Sequence, residues 1–220
     1  MKIWAFIPKH ISNRTALFFY DLLSRRFGRA RRAEASLSGK GHGESFRFIE
    51  DQRARSDERF GRSSVAKAGC EVIALYNALG ALGGAEMIDL HSLIGVFKRA
   101  GMALFGLFGT SPRALYRWLA ANGFDAVSSS AAGEFDKIAQ ESTCAILSYY
   151  NDRNDIRKGV HTVCLTRSDS GFIAHNLTED GYQRGPYDSV SSMLDALGRA
   201  SGLYMIGLKQ QTEVTPRRFL

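Results

Sequence analysis

Residues 68–84 read AGCEVIALYNALGALGG. Apolar side chains cover a broad face of residues 70–82, and this pattern predicts a buried helix that begins at Cys70. The glycines at positions 83 and 84 are typical of the end of a helix. The compact part of the chain is therefore expected to begin just upstream, near Ser63.

Two further helices are predicted downstream, and β-type segments follow them. Apolar spacing predicts a helix at 88–99. Ser111, Pro112 and Gly123 are suited to the N-cap, first turn and end of another at 112–122. The β-type segments are 124–128, 144–150, 159–166, 171–176 and 203–208, with helical stretches at 132–140 and 187–199. Helices followed by neighbouring strands favour an α+β fold over an alternating α/β fold.

The N-terminal third of the chain has a different composition. Of the 220 residues, 1–68 hold 15 Lys and Arg against 7 Asp and Glu, whereas 69–220 hold 14 against 15. An apolar stripe predicts a helix at 14–28, and the Gly- and Ser-rich residues 35–45 read as a linker. One short strand is predicted at 45–49.

These contrasts divide the chain into three parts. They are a basic N-terminal arm at 1–62, a compact domain at 63–210 and a tail at 211–220. Besides a solvated arm, two interpretations stay open: the arm contacts an acidic partner, or it covers the cleft of the compact domain. Without an RNP-like or zinc-finger signature, nucleic-acid binding is not expected to be the main role.

Several classes of protein are disfavoured by composition. No apolar run approaches the roughly 20 residues of a membrane span, and no secretory apolar segment is recognisable, so a cytoplasmic protein is expected. The three cysteines, Cys70, Cys144 and Cys164, form no CxxC pair. Neither a structural zinc site nor a disulfide framework is therefore expected, and no metal or cofactor is required.

Cys70 is the strongest candidate for a reactive group. A helix N-terminus presents unpaired N–H groups and positive dipole to a sulfur at its first position, which favours the nucleophilic thiolate. Lys67, three residues earlier, adds positive charge. The alternative is that Cys70 is a small buried hydrophobe, as free cysteines usually are.

His161 lies within GVHTVCLT (residues 159–166), a predicted strand. Alternation places His161 and Val163 on one face and Thr162 and Cys164 on the other. A histidine in the middle of an apolar strand is a candidate general base, although most such histidines are satisfied core residues. Cys164 faces away from His161, and Cys144 lies in an apolar run, so both are expected to pack in the core.

Asn176 follows His161 by 15 residues. Turn residues 169–171 predict a hairpin between 159–166 and 171–176, which would make His161 and Asn176 neighbours. An Asn oxygen can accept from one imidazole N–H and so orient the ring. His175 would point to the opposite face and is the weaker candidate. A helix cysteine, a strand histidine and a following Asn match the Cys–His–Asn arrangement of cysteine hydrolases.

The same positions carry a resemblance to a known family. Over roughly residues 60–208 the chain resembles the papain-like cysteine peptidase superfamily, and most of all its branch of bacteriocin-processing (double-glycine leader) peptidases. The matching stretches are Ala68-Gly69-Cys70 with the helix after it, GTSP at 109–112 leading into Leu115 and Leu119, GVHTV at 159–163, and Gly171, Asn176 and Gly181.

The resemblance implies a papain-like fold, with N-terminal helices packed on a C-terminal antiparallel sheet. It also implies a peptidase in which Cys70 is the nucleophile, His161 the base and Asn176 the group that orients the histidine. In the bacteriocin-processing branch the substrate is a leader peptide cut after two small residues. Two alternatives stay open: an acyl or amide transferase of the same superfamily, and a non-catalytic papain-like binding domain.

The chain departs from the family pattern at two positions. The family has a glutamine a few residues before the cysteine that donates to the oxyanion, whereas Ser64 stands six residues before Cys70. The nearest upstream glutamine, Gln52, is distant in sequence. Ser64 and the Cys70 N–H are therefore expected to hold the oxyanion. The bacteriocin branch usually has Asp where this chain has Asn176.

Overall fold

The computed structural model describes residues 9–27, 46–83, 89–106, 109–177 and 184–210. The helices are α1 (Asn13–Phe27), α2 (Val65–Ala68), α3 (Cys70–Ala81), α4 (Leu90–Ala100), α5 (Pro112–Ala121), α6 (Phe135–Gln140) and α7 (Val190–Ala196). The strands are β1 (Arg59–Phe60), β2 (Ser63–Ser64), β3 (Ala126–Ser129), β4 (Cys144–Tyr150), β5 (Val160–Ser168), β6 (Gly171–His175) and β7 (Ser201–Leu208). The predicted α+β class is confirmed.

Five strands form one antiparallel sheet in the order β3-β7-β4-β5-β6. The predicted hairpin between β5 and β6 is present, with Ser168 opposite Gly171. Pairing of these strands runs only as far as Cys164 opposite His175. The beginning of β5, which carries His161, therefore extends beyond the end of β6.

The two faces of the sheet are covered by different elements. Helix α3 packs on one face, where Val72 and Ile73 share a core cluster with Cys164 of β5. On the other face Val163 packs with Phe135 of α6 and residues of α7. The alternation predicted for β5 is therefore confirmed at Val163 and Cys164.

Some element boundaries differ from the predictions. The predicted strand at 45–49 is not found at 46–50, which are irregular, and residue 45 lies outside the described residues. Helix α7 is shorter than the predicted 187–199 because Tyr187 pairs with Phe172 as an isolated bridge. The Ser189 capping box then starts the helix at Val190. The predicted linker at 35–45 and the tail at 211–220 lie outside the described residues.

Helix α1, from the basic arm, is packed against the compact domain. Leu17 is fully buried in the same cluster as α3. The Asn13 amide donates to the carbonyls of Ser130 and Gly202, at 3.1 and 3.0 Å. The expected boundary between residues 62 and 63 falls between β1 and β2, which pair with each other. Across the described residues, no helix is both long enough and apolar enough to cross a membrane.

A buried carboxylate ties α1 to the start of α5. Asp21 Oδ1 accepts hydrogen bonds from Ser111 Oγ at 2.7 Å and from Arg117 at 3.0 Å, and Arg113 lies 3.5 Å from Oδ2. Burial raises the pKa of Asp21, but these bonds and the two arginine charges outweigh it, so the pKa lies below its usual value. Ser111 occupies the predicted N-cap position, yet its hydroxyl serves Asp21 and makes no cap bond.

Asp21→Asn is expected to lower the free energy of unfolding by about 1–2 kcal/mol at pH 7, because a buried charge-assisted network loses its anion. The partly exposed arginines keep the effect moderate. Since the pKa of Asp21 is depressed, its stabilisation is present above about pH 4 and is lost as the pH falls through the folded-state value. Urea unfolding at pH 7 and pH 3 measures both effects. Glu141→Gln, in the exposed pair with Lys137, is the control and should change stability by less than about 0.5 kcal/mol.

Candidate functional site

Cys70 is the first residue of α3, as the sequence predicts. Gly69 is the residue between α2 and α3, and a Cβ there would lie 2.7 Å from Val65, so only glycine allows this close approach. The Cys70 side chain is 6% exposed. Backbone N–H groups of Thr162 and Glu71 face the sulfur and lower its pKa. The nucleophile candidate therefore meets β5 at the residue directly after His161.

A carboxyl group lies beside the Cys70 sulfur. Cys70 Sγ donates to Glu71 Oε2 at 3.3 Å. Burial, followed by the negative charge of Glu71 and this hydrogen bond, raises the pKa of Cys70 well above its usual value, and the N–H groups offset this only in part. The structure thus holds Cys70 as a thiol, whereas the helix N-terminus alone predicts a thiolate.

Glu71 is itself buried, with 2% of its surface exposed. Burial raises its pKa to about 7, although the N–H groups of Glu71 and Thr110 and the Cys70 thiol favour the ionised form. Gly109 has a φ of +66°, and a Cβ there would lie 2.8 Å from Glu71 Oε2. A glycine at this position therefore lets the loop before α5 close over the carboxyl group.

The phenol of Tyr20 lies near this pair. Burial, and then the charges of Glu71 and Cys70, raise the pKa of Tyr20, which places its phenol near both groups. Because Tyr20 belongs to α1, this helix brings a phenol close to the candidate nucleophile. Among the described residues, the buried hydroxyls of Thr110 and Tyr150 find no hydrogen-bond partner.

His161 is half-buried and is oriented by the chain beyond β6. Its Nε2 donates to the main-chain carbonyl of Asn176 at 2.7 Å. A neutral ring with its proton on Nε2 has its lone pair on Nδ1, which is then the nitrogen that can accept a proton. The His161 ring also makes an edge contact with Tyr149, with centroids 5.8 Å apart. The predicted proximity of His161 and Asn176 is therefore found, but the contact uses the backbone oxygen.

The side chain of Asn176 bonds to Gln52 instead. Asn176 Oδ1 accepts from the Gln52 backbone N–H at 3.0 Å, and Asn176 Nδ2 donates to Gln52 Oε1 at 2.9 Å. Gln52 Nε2 in turn donates to the carbonyl of Ala66 in α2 at 2.9 Å. The glutamine that is distant in sequence thus links Asn176 to the helix just before Cys70.

Residues 46–52, here called the crossing segment, pass over the end of β6. Phe48 stacks on the ring of His175 at 3.8 Å. Glu50 Oε1 lies 2.8 Å from His175 Nδ1, and Thr166 Oγ1 lies 2.8 Å from His175 Nε2. Both nitrogens of His175 are therefore occupied within the core, in agreement with its lower rank as a catalytic candidate.

The remaining candidate residues lie apart from this geometry. Ser64 precedes α2 and makes no side-chain cap bond. Cys144 and Cys164 are buried, and burial raises the pKa of Cys144 to about 12 and that of Cys164 well above its usual value. Within the described ranges, no three His, Cys, Asp or Glu side chains are grouped so that they could hold a metal ion.

Sequence reasoning missed two residues of this site. Glu71 is not among the sequence candidates, although a carboxylate within a largely apolar helix is a signal for a buried polar group. Gln52 gives no such signal, because its contacts with Ala66 and Asn176 depend on the fold.

Comparison with known proteins adds no family assignment. No protein-family model matches the chain, and no curated protein matches it significantly.

Proposed function

We propose that the chain is a papain-like cysteine peptidase in which Cys70, His161 and Asn176 hydrolyse a peptide bond. The observation that carries the proposal is the meeting of α3 with β5: the N–H of Thr162, the residue that follows His161 in the chain, faces the Cys70 sulfur. The proposed reaction also requires the His161 ring, which alternation and its contact with Tyr149 place on the face of β5 opposite α3, to turn toward the sulfur around the start of the strand. His161 in turn bonds to Asn176. A nucleophile, a base and a group that orients the base are the three parts that acyl-transfer chemistry needs.

In the proposed reaction His161 Nδ1 takes the proton from the Cys70 thiol as the sulfur attacks the peptide carbonyl. The C–N bond then breaks, and the proton passes from His161 to the leaving amine. Water, activated by the same nitrogen, hydrolyses the thioester and restores the thiol. The Asn176 carbonyl keeps the other ring nitrogen protonated and stabilises the charged imidazole during the reaction.

The oxyanion would be held by the Cys70 backbone N–H and a side-chain donor. Ser64 is the donor suggested by its spacing from Cys70. Gln52 is a second candidate, because its side-chain amide lies next to α2, the helix that leads into Cys70, where it donates to the carbonyl of Ala66. Loss of one such donor typically costs a factor of about 10² to 10³ in rate.

Helix α1 bears on how a substrate would reach Cys70. Tyr20 lies near the Cys70–Glu71 pair, and Asp21 fastens the same helix to α5. We propose that the arm covers the nucleophile in this state and that a substrate must displace α1. The acceptor of the acyl group, water or an amine, would be identified by product analysis with and without added amine.

His161→Ala is expected to slow alkylation of Cys70 by iodoacetamide at pH 8 by about 10-fold or more, because the thiol loses the base that takes its proton. Peptide mapping by mass spectrometry gives the rate at each cysteine. Cys144 is the internal control, and its rate should be equal in the two proteins. A Cys70 rate that does not respond to His161→Ala would contradict the proposed pair.

The raised pKa of Cys70 favours a second candidate, a papain-like domain that binds a partner without catalysis. Under that alternative Cys70 resists alkylation in every variant, and no peptide is cleaved even after α1 is loosened by Asp21→Asn.

A further inference from the structure

The crossing segment presents alternate side chains to the end of β6. Phe48 and Glu50 contact His175, and Glu50 Oε2 also accepts the Asn176 N–H at 3.3 Å. Gln52, the next alternate residue, contacts the Asn176 side chain. The segment therefore holds both the main chain and the side chain of Asn176.

The Gln52–Asn176 contact is a closed pair of hydrogen bonds away from water. Gln52 is 6% exposed and Asn176 is fully buried. The Asn176 side chain accepts from the Gln52 main chain and donates to the Gln52 side chain. A buried amide left without these partners would lose favourable free energy, so the pair strongly favours one position of Asn176.

The backbone at Asn176 is in the left-handed region, with a φ of +69°. Asparagine tolerates this region better than most residues, but the conformation still has to be held by its surroundings. The same conformation directs the Asn176 carbonyl to His161 Nε2. The side chain is thus occupied by Gln52, and the main chain orients the histidine.

We propose that Gln52 is a positioning residue, whose paired hydrogen bonds with Asn176 hold the Asn176 carbonyl against His161 Nε2 and so fix the tautomer of the ring. The importance of this for catalysis rests on the proposed function, in which His161 is the base. The effect of Gln52 on the His161 tautomer does not depend on the proposed function.

The Asn176→Asp variant distinguishes two arrangements. In the one proposed here the main-chain carbonyl of Asn176 orients His161, whereas in the other the Asn176 side chain would do so. An aspartate oxygen accepts from imidazole at least as well as an asparagine oxygen, so direct orientation predicts an unchanged histidine. In the arrangement with Gln52, the substitution instead places a carboxylate oxygen against Gln52 Oε1. The hydrogen bond between the two side chains is then lost, and the pair is broken. Gln52→Met, which is similar in length but apolar, should have the same effect.

The experiment compares the full chain with Asn176→Asp, Gln52→Met and the double variant, with Gln140→Met at an exposed site as the control. Nitrogen-15 NMR of the His161 ring at pH 8 should show the Nε2–H tautomer in the wild type and control, and a mixture of tautomers in the three variants. Alkylation of Cys70 by iodoacetamide should slow by about 10- to 100-fold. The double variant should be no slower than the slower single variant, because both changes break one pair.

The inference would be overturned if the Asn176→Asp variant kept the wild-type tautomer of His161. It would also be overturned if the effects of the two substitutions on the Cys70 alkylation rate multiplied in the double variant. The same spectra show whether each variant is folded. If the Gln52→Met variant is not folded, the His161 tautomer in the Asn176→Asp variant decides the question alone. Failure of the proposed function would look different. The rate of Cys70 alkylation would then be the same in the wild type and in His161→Ala. The His161 tautomer would still change when the hydrogen bonds between Gln52 and Asn176 are lost.

Discussion

Under the proposed mechanism, Cys70→Ala is expected to reduce peptide hydrolysis by at least about 10⁴-fold, because Cys70 is the group that forms the acyl intermediate. The fold should survive the change. The substitution removes one buried sulfur atom and its hydrogen bond to Glu71, and the expected loss of unfolding free energy is about 1–2 kcal/mol.

The effect is measured by digesting a defined peptide mixture and analysing the products by mass spectrometry. The mixture includes peptides with two adjacent small residues. Cys144→Ala is the matched control, since Cys144 is a buried thiol remote from His161 in the proposed mechanism, and it should retain activity. Circular dichroism confirms that each variant is folded. Equal cleavage by wild type and Cys70→Ala would rule out a Cys70-dependent peptidase.

Glu71→Gln is expected to stabilise the fold at pH 8 by up to about 3 kcal/mol while leaving stability at pH 4 nearly unchanged. Burial raises the pKa of Glu71 to about 7 from an ordinary value of 4.5. Below about pH 4.5 the carboxyl is protonated in both states, and no penalty arises. Between pH 4.5 and about 7 the unfolded state releases this proton while the folded state keeps it, so the free energy of unfolding falls over that range and levels off above pH 7. Glutamine carries no such charge.

Urea unfolding of wild type and Glu71→Gln between pH 4 and pH 8 tests this difference, with the exposed Glu141→Gln as the control. The same variant should be alkylated faster at Cys70 at pH 7, since the charge and acceptor that raise the thiol pKa are gone. If the free energy of unfolding varied with pH in the same way in the wild type and in Glu71→Gln, ionisation of the Glu71 carboxyl would not destabilise the fold. A slower Cys70 reaction would show that Glu71 assists the thiol.

Local patterns were sufficient to predict much of the fold. The apolar face after Cys70 predicts α3, and the run at 144–150 predicts β4 with both of its bounds. The turn at 169–171 predicts the β5–β6 hairpin, which brings His161 to Asn176. These features depend on residues that are close in sequence, where periodicity and turn chemistry act directly.

Contacts between distant segments could not be predicted in this way. Gln52 and Asn176 are 124 residues apart, and nothing in either segment indicates the other. The expected strand at 45–49 is absent from the described part of that segment, where the side chains of Phe48 and Glu50 contact the end of β6 in place of main-chain pairing with a neighbouring strand. The raised pKa of Cys70 follows first from its own burial and then from the charge and hydrogen bond of Glu71, whose carboxyl lies under the loop at Gly109.

The place of β7 in the sheet has a consequence for biosynthesis. β7 lies between β3 and β4, and both of these pair with it. While the ribosome is still translating residues 201–208, β3 has no partner strand and one edge of β4 is open. Cys70, His161 and Asn176 have by then been made, but the sheet that supports them is incomplete. A nascent chain arrested before residue 201 should therefore be sensitive to proteases and prone to association through these edges, whereas one in which β7 has emerged should be protected.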